Sequence, residues 1–342
     1  MSRAGSPSRQ GRPLLRIAWV TLLSAGAGGI YGLLGHATPV VGVVAGACTG
    51  GLLAFVEVNV LGRWARGTLL RWPFAAYFLL RVGLYVAAVL AINILVLPPS
   101  DAGAALAGVE RRDVAFALLM CVAVNLLFGV NELLGPGVLF AFVAGRYRRP
   151  RREDRVLLYL DLCGSTGLAE RLGEARFLDL LNDFFADVTA DIVARGGEIH
   201  KYVGDEVIAV WREGTDPEQP IRACLAARRR LLGRAGAYRA AYGETPDFRA
   251  AIHAGPVVIG ELGAQKKEIA LIGDAMNTAA RILEAARATG AAVLISAPYY
   301  ESMKLALQRV VAERLEPVAL RGKSAALLLI SLKPERERLV GG

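Results

Sequence analysis

Val156-Leu157-Leu158-Tyr159-Leu160-Asp161-Leu162-Cys163-Gly164-Ser165-Thr166 is the stretch on which the fold of the second half turns. Residues 155–162 are apolar, partly β-branched or aromatic, and end in turn formers, which reads as a buried strand. A second stretch, Ile199-His200-Lys201-Tyr202-Val203-Gly204-Asp205-Glu206-Val207-Ile208-Ala209-Val210-Trp211, reads as two strands, 198–203 and 206–211. Gly204-Asp205 joins them as a tight hairpin. Each stretch therefore carries an aspartate at the end of an apolar strand. Two such carboxylates, brought together, can hold two divalent cations over a nucleotide triphosphate. Mg²⁺ is commonly held by one or two carboxylates plus substrate phosphates, and two ions can bracket an attacking and a leaving oxygen.

Outward from these strands, 167–195 carries helical periodicity through Leu168, Leu172, Phe177, Leu180, Leu181, Phe184, Phe185, Val188 and Ile192,. Gly196-Gly197 stops this helix. A second helix is expected over about 217–241. Strands follow near 247–254, 256–262 and 268–272. Gly273-Asp274 opens a helix running to about Arg287, with Asp274 as its cap. The remainder, 292–332, reads as short strands and one helix. Strand-helix-strand-strand-helix-strand is the ferredoxin-like plan, so the class is α+β.

The turn after Asp161 leads into a helix. Its backbone N–H groups at Gly164, Ser165 and Thr166 can cradle phosphate oxygens, and Gly164 permits close approach. Taken alone, an Asp at a strand end is also a common turn former or helix cap. Asn277 and Arg281 are four apart and share one helical face. An amide and a guanidinium pointing together suit a developing phosphorane. The competing reading of that pair is a solvated polar face.

The first half is different in composition. The 342 residues fit about two domains,, and the long apolar runs lie in 14–145. Four segments have the ~20-residue length that a bilayer requires: Ile17–Leu34, Val40–Leu61, Phe74–Leu97 and Val114–Leu134. No cleavage pattern follows the first, which therefore reads as an anchor rather than a signal peptide. The net charge is +9, with arginines concentrated beside these segments at Arg63, Arg66 and Arg71 and again at Arg146, Arg148, Arg149, Arg151 and Arg152. That placement follows the positive-inside pattern, with both termini cytoplasmic, and argues against nucleic-acid binding. The four cysteines form no CxxC and the three histidines are scattered, which excludes a zinc ribbon or disulfide framework as an organising device.

Within the spans, Glu57 and Arg81 either pair across helices or snorkel to the interface. Asn93 and Asn125 can hydrogen-bond between helices, and the Gly42–Gly51 run permits close helix approach. Pro136, between Gly135 and Gly137, breaks the fourth helix. The segment it opens is either a transmitting connector or an inert tether. The expected organisation is a basic tail over 1–15, an all-α four-helix transmembrane domain over 16–134, a connector over 135–153, a soluble domain over 154–332 and a tail over 333–342. Nothing in the spans names a ligand or partner for the membrane half.

Four pieces of the soluble half occur together: Tyr159–Thr166, His200–Glu206, His253–Gly260 and Ile272–Ile282. In this order they resemble the class III nucleotidyl cyclase catalytic domain, over about 154–332, and the multi-span anchor is similar to that of membrane-bound bacterial members. The resemblance implies an adenylyl cyclase of the inner (plasma) membrane, acting on ATP with two Mg²⁺ or Mn²⁺ ions per site. It implies metal binding by Asp161 and Asp205, transition-state roles for Asn277 and Arg281, and base reading by Lys201. It implies a homodimer in which one protomer supplies Asp161 and Asp205 and the other Lys201, Asn277 and Arg281. Lys323, with Arg321 as its rival, falls near the family's triphosphate-binding lysine. One position departs from the pattern. Ala270 stands where Asp or Thr is usual, and a methyl group accepts no hydrogen bond from the adenine amino group. The other readings are a guanylyl or mixed-specificity cyclase, a receptor that binds nucleotide without turnover, and a transporter, for which four spans with few internal charges offer little path.

Overall fold

The computed structural model describes residues 11–36, 39–56, 74–96, 115, 118–119, 121–126, 129–130, 145–265, 267–303, 310–317 and 326–334. The chain divides into two compact units, Met1–Leu134 and Gly135–Gly342.

The first unit contains helices α1 (Gly11–Tyr31), α2 (Pro39–Val56) and α3 (Phe74–Val96), with a π-turn at Gly32–His36 after α1. Apolar residues of α1 and the following π-turn point outward: Trp19, Leu22, Leu23 and Ile30 on the helix and Leu33 and Leu34 in the turn are all exposed. The glycine run on α2 lets two backbones touch. A Cβ on Gly42 would lie 2.1 Å from the Gly28 carbonyl oxygen, and one on Gly46 2.2 Å from that of Ser24. Small residues at a helix crossing permit this approach. Asn125 donates to the Phe78 carbonyl at 3.3 Å. Arg81 is buried, with its guanidinium 5.0 Å from the centre of the Tyr77 ring. Glu57 and the Asn93 side chain lie outside the described residues.

The expected four-span bundle is not supported as such. Among the described residues one helix is long and apolar enough to cross a membrane, through Ile17–Leu34, while Gly42–Val56 and Ala76–Ala87 are shorter apolar helices. About half of the expected fourth span, together with the Gly135-Pro136-Gly137 break, falls outside the described residues.

The second unit follows the expected strand-helix order. It runs β1 (Arg151–Leu162), α4 (Ser165–Leu172), α5 (Glu174–Ala194), β2 (Glu198–Val203), β3 (Glu206–Arg212), α6 (Gln219–Gly233), α7 (Ala235–Tyr242) and β4 (Phe248–Leu262). Then come β5 (Glu268–Ile272), α8 (Asp274–Thr289), β6 (Val293–Ser296), α9 (Ala297–Glu301), β7 (Val310–Arg314) and β8 (Leu329–Pro334). The eight-stranded sheet has the order β2-β3-β1-β4-β6-β8-β7, with β5 on β4. Its first four strands are antiparallel neighbours in the ferredoxin-like order.

Three boundaries differ from expectation. The first long helix is two, broken at Gly173 with φ 74°, a left-handed position that suits glycine,. The second is also two, broken at Arg234. The strands expected over 247–254 and 256–262 are one, because β4 pairs with β1 along the whole of Arg151–Leu162, straight past Gly255-Pro256. A twelve-residue ladder outweighs one local breaker.

Alternation along β1 positions the site. Leu158, Leu160 and Leu162 join one core with Phe184, Trp211 and Ile221, while Leu157 and Tyr159 join a second with Ala279, Ile282 and Leu283 of α8. Period two therefore turns Asp161 toward the α8 side of the sheet. Trp211 is fully buried and donates to the Arg195 carbonyl at 3.0 Å, anchoring β3. Truncating it to Ala would cost about 3–5 kcal/mol.

Candidate functional site

Asp161 sits directly opposite Glu206 on β3 and opposite Arg249 on β4. The alternation that points Asp161 toward α8 points these two the same way, since Ile208, Val210 and Ala251 belong to the α8-side core. Asp161 is 4% exposed. From the last turn of α8, Arg287 reaches it with two contacts, Nε donating to Oδ2 at 3.0 Å and Nη2 lying 2.8 Å from Oδ1. The second contact is close but off-angle, so Oδ1 is buried without a hydrogen bond. Arg287 Nη2 also lies 3.8 Å from Glu206 Oε2.

The β2–β3 hairpin turns at Gly204-Asp205, with Val203 opposite Glu206 and Gly204 at φ 60°. Leu162 N–H donates to the Asp205 carbonyl at 3.4 Å, tying the hairpin to the end of β1. The Asp205 side chain lines the same cleft as Asp161. Burial pushes the Asp161 carboxyl above its usual range, Arg287 opposes the shift, and the Asp205 charge adds to it. Burial, followed by the Asp161 charge, pushes Glu206 up to about 7. Charges crowded at one strand end raise each other's pKa in this way.

The loop after Asp161 is held by Cys163 N–H donating to the Asp247 carbonyl at 2.8 Å. Gly164, at φ 68°, turns the chain into α4. The result is an open cleft of about 380 Å³ where Gly164, Ser165 and Thr166 face Asp161, Asp205, Arg249 and Arg287. Among the described residues no three His, Cys, Asp or Glu side chains form a metal cage. Two carboxylates with one orphaned buried oxygen nevertheless fit a cation whose other ligands come from phosphate and water.

Asn277 and Arg281 do not join this cleft. Asn277 lines a separate hollow of about 430 Å³ with Leu271, Ile272, Gly273, Asp274 and Met276. Arg281 lies one turn along α8, where Nη1 donates to both Glu284 carboxylate oxygens at 2.7 and 2.8 Å. Asp274 is the first residue of α8 and Gly273 holds the cap position, so Asp274 favours the helix through its first-turn charge,. Lys201 is exposed on β2, past an irregularity in the β2–β3 register at His200. Its Nζ lies 3.3 Å from Glu268 Oε1. Glu268 begins β5 and shares a face with Ala270, two residues on,. Lys323 and Arg321 lie outside the described residues.

Sequence reasoning missed Arg249 and Arg287, which line the cleft, and Glu268, which pairs with Lys201. The strand register gives the signal for Arg249, which falls opposite Asp161 only once β1 and β4 are paired. Arg287 is 126 positions from Asp161, and an arginine in a last helical turn is most simply read as a helix-dipole partner.

Residues 148–331 match the family model for the Adenylate and Guanylate cyclase catalytic domain. Adenylate cyclase 2 of Rhizobium meliloti is 35% identical over 219 residues, which cover 64% of this chain and 60% of that protein. An uncharacterized protein of Mycobacterium tuberculosis is 33% identical over 175 residues, covering 49% of this chain and 32% of that protein. The chain thus spans less than two thirds of the first relative's length and about a third of the second's. A solved bacterial light-regulated adenylyl cyclase shares the fold at a TM-score of 0.55 and 20% identity, with 66% of each chain covered.

Proposed function

The chain belongs to the adenylate and guanylate cyclase catalytic-domain family, and we propose that it is a membrane-bound adenylyl cyclase forming 3′,5′-cyclic AMP and pyrophosphate from ATP. The observation that carries this reading is the convergence of Asp161, Asp205 and the Gly164–Thr166 loop on one cleft. Asp161 and Asp205 would hold Mg²⁺ or Mn²⁺, two ions per site, which when bound lower the pKa of the ribose 3′-hydroxyl and neutralise the triphosphate. The backbone N–H groups of Gly164, Ser165 and Thr166 cradle phosphate oxygens at the start of α4. Arg249, in the same cleft, adds a fixed positive charge,. Phosphoryl chemistry is dominated by positioning and charge stabilisation, so no dedicated protein base is needed.

Asn277 and Arg281 would act from a second copy of the chain, placing an amide and a guanidinium on the charge developing at the α-phosphorus. The separation of their hollow from the aspartate cleft supports a homodimer with two shared sites. Exposed apolar residues support it too, with Tyr202 and Val203 near the aspartates and Ile272 beside Asn277,. Lys201 would donate to an adenine ring nitrogen. Glu268 supplies a carboxylate acceptor for the adenine amino group where Ala270 offers none,.

For the first unit we propose four spans over 16–134, cytoplasmic termini and an inner-membrane location, with lipid against the outward apolar face of α1. The soluble domain would occupy 154–332, after a connector over 135–153. The test of the catalytic reading is product analysis of the full-length chain in membranes, with ATP and GTP offered separately alongside Mn²⁺. Cyclic AMP is the expected product. Predominant cyclic GMP would overturn the role given to Lys201, and neither product would overturn the enzyme.

A further inference from the structure

We propose that Arg287 is a tethered cation that occupies the carboxylate cluster in place of a divalent ion and steps across to Glu206 when the ion binds. The inference rests on the metal-binding reading of Asp161 and Asp205.

Asp161 stands opposite Glu206 across β1 and β3, and Asp205 lines the same cleft as Asp161, so three carboxylates gather at one strand end. Such a cluster is self-repelling unless a positive charge sits within it. Arg287 supplies that charge through both Asp161 oxygens, at 3.0 and 2.8 Å. A guanidinium does not deprotonate in proteins. A divalent cation taking the same oxygens therefore meets a full like charge, which has to move away for the ion to enter.

The geometry suits such a move. The Arg287 side chain is 46% exposed, against 6% for Asp161, so the carboxylate is fixed and the arginine is free to swing. Its contact with Oδ1 is not a hydrogen bond, although that oxygen is buried. The grip is therefore incomplete where a metal ligand would be wanted. Glu206 Oε2 is 3.8 Å from the same nitrogen, on the same side of the sheet. A short rotation exchanges one carboxylate for the other without leaving the guanidinium unpaired. On this account Arg287 stabilises the ion-free site and lowers its apparent affinity for metal, because only the fraction of molecules with Asp161 released can bind.

A different role for the same contact predicts the opposite sign. If Arg287 stays in place and orients Asp161 toward the ion, removing it weakens binding.

The experiment is Mn²⁺ binding to the full-length chain in detergent micelles, without nucleotide, read from the electron paramagnetic resonance signal of free Mn²⁺. Circular dichroism confirms folding of each variant. Arg287→Ala is expected to tighten binding by about three- to tenfold. Should that variant fail to fold, Arg287→Lys, which keeps the charge but only one point of contact, is expected to bind Mn²⁺ more tightly than wild type. Glu206→Gln is expected to weaken binding more in wild type than in the Arg287→Ala background, because the landing partner matters only when Arg287 is present. Weaker binding by Arg287→Ala, or by Arg287→Lys where that variant serves, overturns the tethered-cation account. Equal losses for Glu206→Gln in both backgrounds overturn the step to Glu206. Asp161→Asn separates these failures from a deeper one. If it binds Mn²⁺ as wild type does, or if wild type binds none, the metal-site reading itself falls and the Arg287 proposal falls with it.

Discussion

The two hollows of the second unit are made in opposite ways. The cleft at the ends of β1 and β3 is built around one buried charge. Asp161 is 4% exposed, lies in the middle of the sheet between β3 and β4, and answers to an arginine from another element. The hollow between β5 and α8 has no buried charge in its lining, and Ile272, Asp274 and Asn277 are exposed there. Asn277 is open to solvent, and Arg281 is occupied by Glu284 one turn away. The first is organised within a single chain. The second displays Asn277 to solvent and holds Arg281 against a neighbour on its own helix. On the proposed reading these are two unlike half-sites of one chain, each completed by a second copy.

Changes in the buried half should cost most. Asp205→Ala removes a proposed metal ligand, and several kcal/mol of charge stabilisation corresponds to a loss of about 10³-fold or more in cyclic nucleotide production. Asn277→Ala, in the exposed half, should cost about 10²-fold in kcat, as removal of one oriented donor typically does. It should leave Mn²⁺ binding unchanged, whereas Asp205→Ala should weaken that binding. Equal effects of the two variants on metal binding would erase the distinction between the hollows.

Glu268→Ala should lower kcat/KM for ATP by about tenfold, the order expected for one hydrogen bond to a charged group. No change would leave amino-group reading to backbone carbonyls near Ala270. The smallest effect should come from Glu284→Ala, which frees Arg281 from a half-exposed ion pair worth a few tenths of a kcal/mol,. Activity should rise by about twofold at most, and a large fall would mean that Glu284 holds Arg281 in its working position.

Local chemistry made the first half-site largely legible in the sequence. Gly204-Asp205 between two apolar runs specifies a hairpin through short-range turn geometry, and the structure places the turn there. Asp161 followed by Gly164-Ser165-Thr166 specifies a strand, a turn and a helix start in the same way. Features decided by long-range pairing were not legible. β4 continues past Pro256 because β1 offers it a full-length partner, and no local rule contains that fact. Arg249 enters the cleft through cross-strand register and Arg287 through the docking of α8. Both depend on contacts between segments far apart in the chain. The break at Gly173 lies between those cases. A glycine inside an apolar helical pattern is readable as a stop, yet periodicity through Leu172 and Phe177 masked it. In the first unit, hydropathy named apolar segments readily, and among the described residues one of them reaches spanning length within a helix.

Co-expression of Asp205→Ala and Asn277→Ala full-length chains tests most directly whether the two half-sites meet between copies. Each variant alone should be nearly inactive. Random pairing makes half of the dimers mixed, each with one intact site of two, so activity should return to about a quarter of wild type. Mixtures that stay as inactive as the separate variants, with mixed dimers shown by differential tagging, would contradict the shared site.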